Sequence, residues 1–204
     1  MLMLSYLDII KEDNPNLRKV SSEVVLPLSE EDRKTLHDMH EYLVNGYDII
    51  ACEKYNIRPG VGLSAPQIDV LKRMFVILGF DEEGNLHRYG VINPKIISHS
   101  EELVFLESGE GCLSVDRETK GFVHRPKRVT AKCYLYDFDT LEVKETTLRL
   151  KNYMAIVFQH EYDHLNGRLF IDYLNQENPF FVPDNSNPIR FKDDDKENNG
   201  TKNV

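Results

Sequence analysis

The chain has 204 residues, which suits one domain of ordinary size, and its 41% of hydrophobic residues can bury a sizeable core. Its 34 acidic residues outnumber the 25 basic ones, and the formal net charge of −9 argues against a nucleic-acid-binding protein with a broad basic surface. A mean hydropathy of −0.45 and the lack of a long apolar run argue against a membrane-spanning helix.

The first predicted element in chain order is a helix that begins after Ser29. No signal peptide is expected before it, because the start of the chain contains Asp8 and lacks a basic region and a small-residue cleavage site. Ser29 can cap the helix, and three acidic residues follow in the first turn. Apolar residues then recur at helical spacing, at Leu36, Met39, Leu43 and Val44. The helix is expected to end near Gly46 or to resume after a break and reach Tyr55, with His37 and His40 at the surface or the edge of the core.

The middle of the chain is predicted to form strands. Their apolar runs and alternating patterns are bounded by turn residues, notably 81–85 and 137–142. The predicted strands cover 74–80, 88–92, 95–106, 129–138 and 143–150.

The most informative predicted element is a helix over 152–165, capped by Asn152 and ended by Asn166-Gly167. Four of its residues share one stripe, with Glu161 at its edge: Tyr153, Val157, His160 and His164. Residues 160–164 read HExxH, in which two imidazoles at i and i+4 can share one metal ion and the glutamate can accept a proton from water. The alternative is a pair of core histidines without a metal.

A catalytic metal site of this kind needs a third protein ligand. One known pattern has a third histidine six residues after the second, but position 170 of this chain is Phe. Another uses a downstream glutamate as the third ligand, but Glu177 follows a predicted strand over 168–171 rather than a second helix. Cys112 is the favoured candidate for the third ligand. It lies in the segment SGEGCLS (108–114), whose glycines let the main chain approach a bound ligand closely. A buried small hydrophobe is the alternative interpretation of Cys112.

The chain has three cysteines, Cys52, Cys112 and Cys133, which are too few for a disulfide framework. A reducing compartment is therefore expected.

A third segment, GVGLSAPQ (60–67), places two glycines before a polar side chain. Such a turn lets the main chain face a bound peptide, and Gln67 can donate hydrogen bonds to an oxyanion. A lone GxG is weak evidence, and Gln67 by itself could be structural.

Together and in this order, GVGLSAPQ, EGCLS (110–114) and QHEYDHLNG (159–167) resemble the three motifs of the peptide deformylases. The resemblance runs from about Ser5 to Leu174. The lengths of 45–59 and 115–124 are similar to those of the type II, Gram-positive-like subgroup. Ser64 stands where this family usually has Ala, a small-for-small change that puts little of the resemblance in doubt.

The resemblance implies an α+β fold, with antiparallel strands wrapped around a central HExxH helix. It also implies an enzyme that hydrolyses the formyl group from N-formylmethionine of new proteins and releases formate. One metal ion per chain, Fe²⁺ with Zn²⁺ or Ni²⁺ able to substitute, would be bound by Cys112, His160 and His164.

The remaining roles are implied in the same way. Glu161 would be the acid/base, while Gln67 and the Leu113 amide would face the oxyanion and Gly62 would bind substrate main chain. We expect the methionine pocket at Val61, Tyr153 and Val157.

The expected organisation is a single catalytic domain over 1–183 and a polar, disordered tail over 184–204. The expected partners are N-formylmethionyl nascent chains, with transient ribosome contact, no direct nucleic-acid binding and no membrane; the expected location is the cytoplasm.

Three rival functions remain open from the sequence. A general HExxH metallopeptidase would cleave internal amides and would not use a cysteine ligand. A structural zinc module would have the same ligands but no need for the base Glu161. A ribosome-binding factor is disfavoured by the acidic charge.

Overall fold

The computed structural model describes residues 3–192, which form three α-helices and eight strands. The helices are α1 (Glu30–Asn45), α2 (Ile49–Tyr55) and α3 (Asn152–His164). The strands are β1 (Gly62–Ser64), β2 (Met74–Phe80), β3 (Leu86–His99), β4 (Leu103–Phe105), β5 (Arg125–Pro126), β6 (Arg128–Tyr136), β7 (Val143–Lys151) and β8 (Ser186–Pro188). Within residues 3–192, no helix has the length and apolar character needed to cross a membrane.

Helix α1 begins where the sequence predicts. The Asp32 N–H donates to the Ser29 hydroxyl at 3.1 Å, which satisfies one of the free amides of the first turn. Its buried face packs against β2, while Val44 is exposed. The chain breaks after Gly46 and resumes as α2, so the second of the two expected arrangements is correct.

The two histidines of α1 lie at the edge of the core. His37 lies 2.9 Å from the Tyr136 hydroxyl, and His40 stacks on Phe138. Their position at the edge of the core agrees with the prediction, and both contact aromatic residues at the end of the sheet.

A five-stranded antiparallel sheet in the order β1-β2-β3-β6-β7 forms the larger layer. The predicted strands are present, but β3 is continuous through Asn93-Pro94, where two shorter strands were predicted. Asn93 adopts a positive φ at a register shift, and its side chain pairs with both main-chain groups of Val24. This bulge lets a proline sit within the strand.

Helix α3 packs against β1, β2 and β4–β7, which confirms the α+β arrangement of strands around the HExxH helix. Its predicted cap is wrong, because Asn152 is the first helical residue and has a positive φ. The Glu82 carboxylate, from the β2–β3 turn, instead accepts bonds from the Asn152 side chain and the Tyr153 N–H. An acidic group placed at a helix N-terminus is favourable, whichever part of the chain supplies it.

The end of α3 follows the prediction, since Gly167 has a positive φ just after it. A Cβ at Gly167 would lie 2.4 Å from the Arg18 carbonyl oxygen, so only glycine fits. The strand predicted over 168–171 is wrong. Residues Phe170–Tyr173 form a 3-10 turn instead, in which the Asp172 carboxylate accepts from the Leu169 N–H at 2.9 Å.

A second sheet of three strands, β5-β4-β8, corrects the predicted domain boundary. Strand β8 pairs in parallel with β4, and Ile189 is buried against Val104 and Ile156. Phe191 packs edge-on against Tyr153, with ring centroids 5.1 Å apart. Residues 184–191 therefore belong to the domain. Ile189 and Phe191 anchor this otherwise polar segment to the core. The rest of the predicted tail, 193–204, lies outside the described residues.

Two truncations test this boundary. Removing 193–204 should leave the melting temperature unchanged, because this segment contains a single apolar residue, Val204. Removing 185–204 should lower it by roughly 5–10 °C, because the burial of Ile189 and Phe191 is worth about 2–3 kcal/mol. Thermal unfolding followed by circular dichroism compares the two. Equal melting temperatures for both truncated proteins would contradict the boundary after β8.

Candidate metal centre

Three potential ligands that are distant in sequence converge beside α3. The ligand atoms of Cys112, His160 and His164 all lie within 4.8 Å of one another. The two histidines face the same way because they are one helical turn apart on α3. Cys112 reaches them from the loop between β4 and β5, with its Sγ 3.4 Å from His164 Nε2. The predicted trio is therefore brought together.

His160 is oriented by a buried carboxylate that the sequence analysis did not identify as functional. Its Nδ1 lies 2.8 Å from Glu110 Oε2, so its Nε2 is directed toward Cys112 and His164. Burial raises the pKa of Glu110, but the adjacent Arg125 guanidinium and His160 outweigh it and hold the value at about 2. Glu110 is therefore ionised and accepts the Nδ1 proton.

Arg125 in turn connects two carboxylates. It binds both oxygens of Glu110, and its Nη1 lies 2.8 Å from Asp163 Oδ2. Tyr173 donates to the other oxygen of Asp163 at 2.9 Å. The buried ion pairs of Arg125 fix the Glu110 carboxylate that orients the His160 ring, and removing Arg125 would leave two buried carboxylates unpaired, which typically costs about 3–5 kcal/mol.

His164 is suited to bind a metal as a neutral ring. It is 1% exposed, and burial lowers its pKa well below the ordinary value. Among the described residues its Nδ1 has no hydrogen-bond partner, while Nε2 faces the Cys112 thiol. Neutral imidazole is the form that coordinates metals.

Glu161 lies next to this trio, with its carboxylate held against strand β1. It is 4% exposed, and burial raises its pKa. A Cβ at Gly62 would lie 2.3 Å from Glu161 Oε1, so the glycine leaves the space that the carboxylate occupies. On the same strand, the Ser64 hydroxyl donates to Glu161 Oε2.

The Gln67 side chain has a defined orientation. Its Oε1 accepts from the Ser64 N–H at 2.9 Å. Its Nε2 therefore points the other way, 3.5 Å from Cys112 Sγ and 3.2 Å from Ser114 Oγ. The amide is positioned to donate hydrogen bonds into the site, as the sequence analysis expects of an oxyanion-binding group.

A cavity of about 230 Å³ opens onto Cys112 and His160. Its lining includes the predicted residues Val61, Gly62, Gln67, Cys112, Leu113, Tyr153, Val157, His160 and Glu161. Of the predicted site residues, only His164 lies behind the wall. Arg58, Leu106 and Ile156 also line the cavity, although they were not predicted from the sequence. Ile156 could have been found, since it is one helical turn before His160. Arg58 lies in a connection without a pattern, and the position of Leu106 at the end of a predicted strand does not relate it to the site.

The comparisons with known proteins agree with one another. A sequence model of the family described as polypeptide deformylase matches residues 6–180. The chain is 51% identical to peptide deformylase 2 of Bacillus anthracis over 187 residues, which are 92% of this chain and 99% of that protein. It is 50% identical to peptide deformylase 2 of Geobacillus stearothermophilus over the same shares of both chains. The solved structure of peptide deformylase from Thermotoga maritima superposes with a TM-score of 0.61 at 33% identity, covering 82% of this chain and 96% of that one.

Proposed function

The chain belongs to the peptide deformylase family, and we propose on that premise that Cys112, His160 and His164 hold one catalytic metal ion. The enzyme is a metal-dependent hydrolase that removes the formyl group from the N-terminal formylmethionine of newly synthesised proteins and releases formate. The single observation that supports the location is the convergence of these three ligands next to a cavity that two of them line, Cys112 and His160, beside the buried carboxylate of Glu161.

The donor set fits such an ion. One thiol and two imidazole nitrogens leave a fourth position for substrate or water, which is the arrangement of catalytic rather than structural sites. A thiolate with two imidazoles suits both Fe²⁺ and Zn²⁺, and our proposal of Fe²⁺, with Zn²⁺ or Ni²⁺ able to substitute, follows the family resemblance. When bound, the ion supplies Lewis-acid chemistry, which lowers the pKa of water and polarises the formyl oxygen.

We assign proton transfer to Glu161. Its carboxylate lies at the cavity wall and accepts the proton of the attacking water as the oxygen–carbon bond forms. Glu161 then donates this proton to the amine nitrogen as the carbon–nitrogen bond breaks. Formate and a free amino terminus leave, and Glu161 returns to its carboxylate form.

The charge that develops on the formyl oxygen needs hydrogen-bond donors. Gln67 Nε2 is already directed into the cavity by the bond that its Oε1 accepts from Ser64. We propose that the Leu113 main-chain N–H is the second donor, because Leu113 lines the cavity next to the ligand Cys112. Donors that are fixed before the reaction stabilise the transition state without further ordering.

The methionine side chain is proposed to occupy the apolar part of the cavity. Tyr153 and Val157 project from α3, and Val61 faces them from the segment before β1. Gly62 would pair its main chain with the extended substrate, in the manner of strand addition. Because the substrates are nascent chains, we also propose transient contact with the ribosome and a cytoplasmic location. We propose no direct contact with nucleic acid.

Family membership decides among the rival functions. A general metallopeptidase is not supported, since the related proteins are deformylases along their whole length. A structural zinc module would not need Glu161 at an open cavity. The decisive assay is formate release from a formyl-Met peptide, with and without a chelator. Equal formate release in both samples would contradict the proposed metal centre.

We expect a ferrous enzyme that loses activity in air. Cys112 lines the cavity, so oxygen that enters would reach the thiolate ligand and an oxidisable ion bound to it. Metal analysis and activity should be measured after anaerobic purification and compared with aerobically prepared zinc protein. Equal activity of the two preparations would remove the iron assignment and leave the ligand set intact.

A further inference from the structure

Ser64 contacts the proposed acid/base directly. It is fully buried, and its hydroxyl lies within hydrogen-bond reach of Glu161 Oε2 and 3.1 Å from the Glu161 main-chain oxygen. A hydroxyl has one proton, and the carboxylate is the stronger acceptor. Ser64 therefore donates to the side chain of Glu161.

Strand β1 lies against both oxygens of the carboxylate. Gly62 and Ser64 are two residues apart on one strand, so they face the same side. The missing side chain of Gly62 leaves room for Oε1, and Ser64 binds Oε2. The Ser64 N–H also donates to Gln67 Oε1 at 2.9 Å, so this one residue orients the base and the oxyanion donor.

We propose that Ser64 is a positioning residue for the deformylation reaction, whose hydroxyl fixes the Glu161 carboxylate at the cavity wall before substrate binds. The inference rests on the proposed role of Glu161. A glutamate side chain has three rotatable bonds, and a base that is already ordered saves the cost of ordering it in the transition state.

The test begins with Ser64→Ala, which removes the hydroxyl and adds no bulk. We expect kcat to fall roughly tenfold, as for the loss of one hydrogen bond to a charged group, with KM and bound metal unchanged. Ser64→Cys, which keeps the size but donates weakly, should show the same loss. Ser21→Ala is the matched control, because Ser21 is also buried and its hydroxyl has no partner among residues 3–192. Its kcat should stay at the wild-type value.

A double variant separates positioning from a general structural effect. If Ser64 acts through Glu161, adding Ser64→Ala to Glu161→Gln should cause no further loss of the residual kcat. Losses that multiply in the double variant, or a lower melting temperature with normal kcat in Ser64→Ala, would overturn the inference while the proposed function stands. Wild-type turnover of Glu161→Gln would instead overturn the role of Glu161 itself.

Discussion

Glu161→Gln should keep its fold and its metal but lose turnover by at least the ~10²–10⁴-fold that is typical of a missing general acid–base group. Glutamine has the size of glutamate and still accepts the Ser64 hydrogen bond through its oxygen, so the contact with β1 survives. It cannot take the proton of water. The loss should appear in kcat rather than KM, because the proton moves in the transition state.

The measurement is steady-state formate release at several substrate concentrations, together with metal content and a melting curve. Glu31→Gln is a suitable control, since it removes one acidic charge from the first turn of α1, far from the cavity. A Glu161→Gln protein that lost its metal would show that Glu161 is a ligand. One that kept wild-type turnover would leave the hydrolysis without a base.

Cys112→Ser should lose both bound metal and activity, with a residual turnover near the detection limit. A serine hydroxyl is a poor ligand compared with a thiolate, and two imidazoles alone do not complete the site. The position of the sulfur is also fixed by its surroundings, because the Gln67 side-chain amide and the Ser114 N–H both lie 3.5 Å from Sγ.

Cys52→Ser is the matched control. Cys52 is half-buried between α1 and α2, where its thiol donates to the Asn45 carbonyl oxygen at 3.5 Å. It should bind one equivalent of metal and keep normal turnover. Stoichiometric metal and near-normal activity in Cys112→Ser would contradict the ligand assignment, and the metal content of both proteins distinguishes lost binding from lost chemistry.

The fold was predictable wherever a local pattern determined it. The start of α1 at Ser29 and the strands 74–80, 129–138 and 143–150 follow from capping and alternation, which act within a few residues. The errors have long-range causes. Asn152 is not the cap because Glu82 of another turn takes that place, and residues 184–191 join the domain because β4 offers a free edge.

The candidate site divides in the same way. The sequence by itself determined the HExxH pair, because two residues one turn apart on a helix must face the same direction. With the motif order it also pointed to Cys112, Gln67 and Gly62. Only the tertiary structure decided what orients these groups: Glu110 and Arg125 behind His160, and Ser64 on Glu161. Such contacts join segments far apart in the chain, and no local spacing encodes them, since they exist only once β1, the Cys112 loop and α3 pack together.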